Sequence, residues 1–155
     1  MVALRNLFIF TLCMLPMMLF AQPDKNILDM SKEEIIAERK RQVDEKMNLT
    51  PKEEEKFWPL YNEFQSEREK LDKKLFELVA EYANYYKNVT DEKAEQLLED
   101  SLKIEEERIQ LKRSFIKKFE GTLPVHKIAT YIQIENKFWA TVLYHLAVEV
   151  PLISR

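Results

Sequence analysis

A seam of apolar residues between Phe57 and Tyr85 is the feature that most constrains the fold. Its members recur at alternating spacings of four and three: Phe57, Tyr61, Phe64, Arg68, Leu71, Leu75, Leu78, Tyr82 and Tyr85. This is the heptad period of a helix that packs along another helix, and only Arg68 is not apolar. The pattern predicts one long helix over about 50–87.

Helix-start signals divide the rest of the chain. Ser31 with Glu34, and Thr50 with Glu53, have the spacing of a capping box, in which two side chains satisfy free backbone N–H groups. Thr90 is a third N-cap residue, followed by acidic residues in the first turn. The predicted helices span 31–47, 50–87, 90–120 and 124–149.

The chain contains a single glycine, Gly121, which argues against a sheet protein because hairpins usually need several glycines. Gly121 is expected as the C′ residue after the third helix. The short turn at Asn88-Val89 should fold the second and third helices into a long antiparallel hairpin. The predicted fold class is therefore all-α, a four-helix chain.

The fourth predicted helix is apolar nearly all round, and such a helix must be buried. One solution is an antiparallel dimer, in which a second copy of the chain covers the helix. The other is burial within one subunit, and the sequence does not choose between them.

The N-terminal segment has the pattern of a secretory signal peptide. Arg5 precedes fifteen uncharged, mostly apolar residues that end at Ala21, and a polar run follows. We expect a signal peptide over 1–21, a flexible leader over 22–30 and one helical domain over 31–155, with an uncleaved anchor as the alternative. Cys13, the only cysteine, lies in the signal, so the mature chain would hold no disulfide or thiolate site.

The sequence does not support a metal site, a phosphate-binding loop or a nucleic-acid-binding surface. His126 and His145 lie nineteen residues apart on one predicted helix, or nearly 30 Å, so they cannot share a metal ion. No glutamate precedes either histidine by three residues, as a di-metal bundle requires. One glycine cannot build a phosphate loop, and a net charge of −3 offers no case for nucleic acid. We expect no enzyme, cofactor or metal site.

Aromatic residues are concentrated at two places, and their role is left open between a core, a dimer interface and an exposed surface that holds clients. The candidates are Phe57, Trp58, Tyr61, Phe64, Phe138 and Trp139. Large exposed apolar patches commonly mark interaction sites.

Pro59 lies in the middle of this aromatic turn, nine residues after the Thr50 cap. A proline so deep in a helix frees the carbonyl of Glu55 and bends the helix. We predict that this kink re-aims the aromatic turn and curves the long helix around its partner.

Two segments at helix starts align without gaps, LTPKEEEKFWPLYNEF (49–64) and LPVHKIATYIQIENKF (123–138). Leu49-Thr50 and, more loosely, Leu123-Pro124 resemble the paired LTxxQ-type motifs of the Spy/CpxP family of periplasmic proteins. Glu53 and Lys127 stand where that family has glutamine. The resemblance implies a cradle-like antiparallel dimer of four-helix subunits with ATP-independent chaperone activity or a role in envelope-stress sensing.

Two functions follow as hypotheses. The first is a periplasmic, non-enzymatic chaperone or stress adaptor that binds unfolded or envelope proteins and forms a homodimer. The alternative is a regulatory sensor of an extracytoplasmic sigma factor and anti-sigma factor system, which holds a membrane signalling protein and has no chaperone activity.

Overall fold

The structure is a computed structural model and describes residues 31–153. These residues form four helices and no strand: α1 (Lys32–Met47), α2 (Pro51–Tyr85), α3 (Asp91–Glu120) and α4 (Val125–Glu149). The prediction of an all-α, four-helix chain is confirmed. The expected signal peptide and leader, residues 1–30, lie outside the described residues.

Capping fixes where the helices begin. The Ser31 hydroxyl accepts from the Glu34 N–H at 3.2 Å, and the Ser31 N–H donates to the Glu34 carboxylate at 2.8 Å. Thr50 and Glu53 form the same reciprocal pair, and the Thr90 hydroxyl accepts from the Lys93 N–H. All three predicted N-caps are confirmed, because each supplies partners for N–H groups that a helix start leaves free.

The C-terminal ends of α1 and α3 differ in backbone conformation. Asn48 ends α1 in the left-handed conformation with φ of 43°, which asparagine tolerates well. Gly121 caps α3 with φ of −80°, so the left-handed C′ conformation typical of glycine is not used there. The Phe119 carbonyl instead accepts from the N–H groups of Thr122 and Leu123 at 2.8 Å.

Side-chain pairs show that α2 and α3 run antiparallel. Phe64 packs on Phe115, Lys74 reaches Glu107 at 2.5 Å, and Glu81 pairs with Lys93. As the partner on α2 advances, the partner on α3 recedes, as the predicted hairpin requires.

The same test orients α4. Lys112 of α3 donates to Asn136 at 2.9 Å, and Phe119 packs on Tyr131 at a point nearer the α3–α4 turn. Arg39 of α1 pairs with Glu135 at 3.1 Å. With the contact of Lys127 to the Asn48 carbonyl, these pairs make α4 antiparallel to both α1 and α3. The helices alternate up and down.

The core lies at the end of the bundle where the α1–α2 and α3–α4 turns meet. Its buried members are Val43, Met47, Phe57, Tyr61, Phe64, Phe115, Phe119, Leu123, Ile128, Tyr131, Ile134 and Phe138. We call this the base of the molecule.

The opposite end holds fewer helices because α1 is short. At 1.5 Å per residue, α1 is about 24 Å long and α2 about 52 Å. Since Arg39 faces Glu135, α1 begins at Ser31 near the level of residue 143 of α4. Beyond that level only three helices continue, and we call this part, together with the adjoining turn of each of these helices, the distal segment (72–109 with 140–153).

Candidate functional site

Four of the six aromatic residues singled out in the sequence are buried in the core. Phe57, Tyr61, Phe64 and Phe138 are each at most 5% exposed. Three of them surround Tyr131, whose ring centroid lies 5.4, 6.0 and 5.8 Å from those of Phe57, Tyr61 and Phe64. Among the three roles left open above, these side chains occupy the core, and a client could reach them only if the bundle opened.

The two tryptophans lie at the edge of the core, half-buried. Trp58 packs edge-on against Phe57 and Tyr61, and the Lys40 ammonium lies 5.2 Å from its ring. The Arg108 guanidinium lies 3.6 Å from the centroid of Trp139. Both tryptophans therefore make cation–π contacts, and Trp58 also packs against the core.

Pro59 is exposed, and α2 continues through it from Pro51 to Tyr85 as one helix. Its neighbours Trp58 and Leu60 turn inward and pack against the core. The predicted effect of the proline on the path of the helix stays a prediction.

A network of polar side chains lies between the core and the distal segment, with Asp72 and Arg108 at the inner edge of that segment. Arg39 donates to Glu135 at 3.1 Å and to Gln65 at 3.3 Å, and Gln65 donates to the other oxygen of Glu135 at 2.8 Å. Arg68 donates to the Gln65 carbonyl oxygen at 3.0 Å, and Arg68 and Arg108 both pair with Asp72. We call these six residues, from all four helices, the polar junction: Arg39, Gln65, Arg68, Asp72, Arg108 and Glu135.

Burial makes the polar junction energetically demanding. The Arg39 and Glu135 side chains are 7% and 3% exposed, and burial lowers the pKa of the Arg39 guanidinium although Glu135 opposes the shift. Charges taken out of water need excellent pairing to offset the loss of hydration. The junction therefore specifies how the four helices align, since a shift of any one helix would leave a buried charge unpaired.

Large apolar side chains are exposed mainly in the distal segment. Apart from Ile36 and Val125, the exposed large apolar residues of the described chain all lie there: Phe76, Tyr85, Leu98, Leu102, Ile109, Leu143, Tyr144, Val148, Leu152 and Ile153. We call this set the distal apolar residues. Apart from Ile109, which is still level with α1, they lie at or beyond the start of α1, where no fourth helix covers the other three.

On α3 these residues form a stripe. Leu98, Leu102 and Ile109 are spaced by four and seven, so they lie within about 40° of each other around the helix. The buried face of α3, with Leu97, Ile104 and Arg108, points in a different direction. Thus α3 has one apolar face that packs in the bundle and a second that meets solvent.

On α4 the exposure corrects one of the two expectations, that the whole helix is buried within one subunit; burial against a second copy stays a prediction. Ile128, Tyr131, Ile134 and Phe138 face the core, but Tyr144 and Val148 are 66% and 62% exposed in the subunit. Between Phe138 and Val150 the only Asp, Glu, Lys or Arg residue is Glu149. The second half of α4 therefore presents an apolar surface that the subunit itself leaves uncovered.

Among residues 31–153, no three His, Cys, Asp or Glu side chains are placed to hold a metal ion. His126 is exposed and His145 is half-buried beside Tyr144. None of the helices in the same range has the length and apolar character needed to cross a membrane.

Sequence reasoning missed both the polar junction and the distal apolar residues. The sequence analysis identified Arg68 as the one position of the heptad seam that is not apolar. It did not identify the other members of the polar junction, some of which come from helices distant in the sequence. The sequence alone does not show that Leu98 and Leu102 are uncovered, because this depends on how the other helices pack around α3. Comparisons with protein-family models, curated proteins and solved structures found no match to this chain.

Proposed function

We propose that this chain is a non-enzymatic helical binding protein of the cell envelope, similar in action to the Spy/CpxP family, and works as an ATP-independent chaperone or stress adaptor. The observation that carries the proposal is the exposure of the distal apolar residues in a bundle whose core is complete elsewhere. A patch of this kind on a stable scaffold is a common mark of an interaction site.

The charge pattern supports loose binding of unfolded chains. On α3, Glu99 and Lys103 border Leu98 and Leu102, and Glu106 lies beside Ile109. The exposed Glu105 lies within the stripe, between Leu102 and Ile109. An apolar stripe bordered by both signs of charge can bind extended apolar segments without strict sequence preference, and the charges keep the free protein soluble.

The same surface favours a homodimer. In a dimer joined through the two distal segments, each copy would provide helices that cover the part of the other copy beyond Ser31, which α1 does not reach. Antiparallel association would also bury the second half of α4, as its apolar character requires. In this arrangement clients bind to whatever apolar surface the dimer leaves open.

The test is an aggregation-suppression assay with the purified protein and a chemically unfolded client enzyme, followed by light scattering. The variant Leu98→Asp/Leu102→Asp adds two charges to the α3 stripe. The control Gln96→Asp/Gln110→Asp adds the same charge at exposed polar positions of the same helix. We expect suppression by the wild type and the control, and its loss in the stripe variant.

No suppression by the wild type at stoichiometric excess would reject the chaperone proposal. The alternative, a sensor that holds a membrane signalling protein, would then be tested by co-purification from a detergent-solubilised envelope with the same two variants. Equal loss of suppression in the stripe variant and the control would show that charge, and not the apolar stripe, matters.

A further inference from the structure

A small cavity lies inside the polar junction, and its walls carry more positive than negative charge. The cavity has a volume of about 30 Å³ and is lined by four cationic side chains and two carboxylates. The cations are Arg39, Arg68, Arg108 and Lys112, and the carboxylates are Asp72 and Glu135. Two positive charges are therefore left over within one partly enclosed space, in a chain whose net charge is −3.

Both carboxylates already use both of their oxygen atoms. Glu135 accepts from Arg39 and from Gln65, one on each oxygen. Asp72 accepts from Arg68 on one oxygen and from Arg108 on the other. Neither is left with an oxygen atom free for the extra cations.

Lys112 is part of this excess of positive charge around the cavity. Its ammonium donates to the neutral amide oxygen of Asn136 at 2.9 Å. Burial, followed by the positive charge of Arg108, lowers the pKa of Lys112. A positive group held next to another positive group is stabilised if an anion binds between or beside them.

Two N–H donors of side chains that line the cavity also lack an acceptor. The Nε atoms of Arg39 and Arg108 are buried and make no hydrogen bond, in side chains that are 7% and 9% exposed. A buried N–H group without a partner is costly, and in a charged guanidinium more so. Such donors are usually satisfied by an ordered water or an ion.

The size of the cavity restricts the ligand. A single water needs roughly 10–15 Å³ of such volume, so this cavity admits a monatomic ion with little else. Organic acids, peptides and nucleotides are too large. Water would satisfy the two donors but would leave the excess charge uncompensated.

We propose that the polar junction binds one small inorganic anion of the size of chloride, held by the guanidinium groups of Arg39 and Arg108 and by the charge of Lys112. The anion completes the junction between the core and the distal segment. Its binding stabilises the folded chain in a saturable manner, because it binds the folded state and not the unfolded one.

Trp139 provides a direct reporter, because it stacks on Arg108 and lines the cavity. The chain has two tryptophans, so Trp58→Phe leaves Trp139 as the only one. The purified Trp58→Phe protein is titrated with sodium bromide at constant ionic strength, with sodium gluconate, whose anion is too large for the cavity, as the balancing salt. Bromide is a heavy-atom quencher of tryptophan fluorescence.

We expect quenching that saturates and is reversed by chloride, a weaker quencher. We also expect chloride in place of gluconate to raise the Tm by about 5 °C at ten times its dissociation constant. Quenching that rises linearly with bromide and is unaffected by chloride would overturn the proposal and leave only water in the cavity.

Charge variants on α3 separate this site from general salt effects. Lys112→Glu removes the excess of positive charge and should raise the bromide dissociation constant at least about tenfold, since it replaces an attraction by a repulsion. Lys117→Glu makes the same change at an exposed position five residues along and should leave it within about twofold. Equal weakening by both variants, or by neither, would contradict a site in the cavity.

Discussion

The ammonium of Lys127 lies 2.7 Å from the Glu53 carboxylate and 2.7 Å from the carbonyl oxygen of Asn48. One side chain at the start of α4 thus ties together the start of α2 and the end of α1. Glu53 and Lys127 occupy equivalent places in the two aligned segments, 49–64 and 123–138. The weak repeat in the sequence therefore corresponds to two helix starts that lie side by side in the fold.

The Glu53–Lys127 pair predicts a specific dependence of stability on pH. The bond to Lys127, and then those to Thr50, lower the pKa of Glu53 to about 2, from about 4.3 in an unfolded chain. Because the folded-state pKa is depressed, the stabilisation is complete above about pH 5 and is lost as the pH falls from 4.3 towards 2.

Thermal melting of Lys127→Ala across this range tests the prediction. Its Tm should lie below that of the wild type at pH 6, and the gap should narrow towards pH 2. Lys52→Ala, at an exposed position next to Glu53 at the start of α2, should show no such gap. A gap of constant size down to pH 2 would be inconsistent with the pair.

Two phenylalanines of α2 allow a matched test of the core. Phe64 is 2% exposed and packs on Tyr131 and Phe115, whereas Phe76 is 58% exposed. Phe64→Ala should lower the free energy of unfolding by about 3–5 kcal/mol. Phe76→Ala should change it by less than about 0.5 kcal/mol while weakening self-association or client binding.

Urea unfolding followed by circular dichroism measures the free energy of unfolding, and sedimentation measures self-association and client binding. If Phe64→Ala kept its stability and lost client binding, the aromatic cluster would have to be an open binding surface after all.

Replacing only one member of the buried pair of Arg39 and Glu135 should strongly destabilise the folded chain. Arg39→Met leaves Glu135 buried with only Gln65 as a partner and should lower the free energy of unfolding by about 3–5 kcal/mol. The double variant Arg39→Met/Glu135→Met should recover much of this loss, because neither member of the pair is then left buried without the other.

Arg41 is the matched control on α1, since its pairs with Glu38 and Glu45 are solvent-exposed. Arg41→Met should have no measurable effect in the same urea titration. A double variant no more stable than Arg39→Met would show that the residue shape, and not the charge, carries the effect.

Pro59→Ala should stabilise α2, because alanine restores the N–H that proline lacks and removes the steric clash with the preceding turn. The gain in the free energy of unfolding should be positive and at most about 3 kcal/mol. We also expect a straighter helix and altered association. A crystal structure of the variant checks the path of α2, and an unchanged path would refute the kink prediction.

Much of the fold was predictable because its determinants are local. The capping boxes at Ser31 and Thr50 involve residues three apart, and the Thr90 cap is equally short-range. The heptad seam of α2 also repeats within one helix, and its first members, Phe57, Tyr61 and Phe64, are buried as the pattern indicates. Such signals need no knowledge of the partner helix.

The polar junction and the distal apolar residues were not predictable in the same way. Arg39 and Glu135 lie 96 positions apart in the chain, and neither carries a local mark of its partner. Leu102 and Ile104 lie two residues apart on α3, yet Leu102 is 52% exposed and Ile104 is buried. The face of the helix that meets a partner, together with the length of α1, decides which apolar residues are covered.

By itself, the sequence determined the number of helices, their starts and the hairpin, because periodicity and capping act within a few residues. Only the tertiary structure decided that Phe57, Tyr61 and Phe64 form the core and that the apolar end of α4 is left exposed by its own subunit. Burial depends on which helices meet at each level of the bundle. That is a property of the assembled fold, since no single segment contains it.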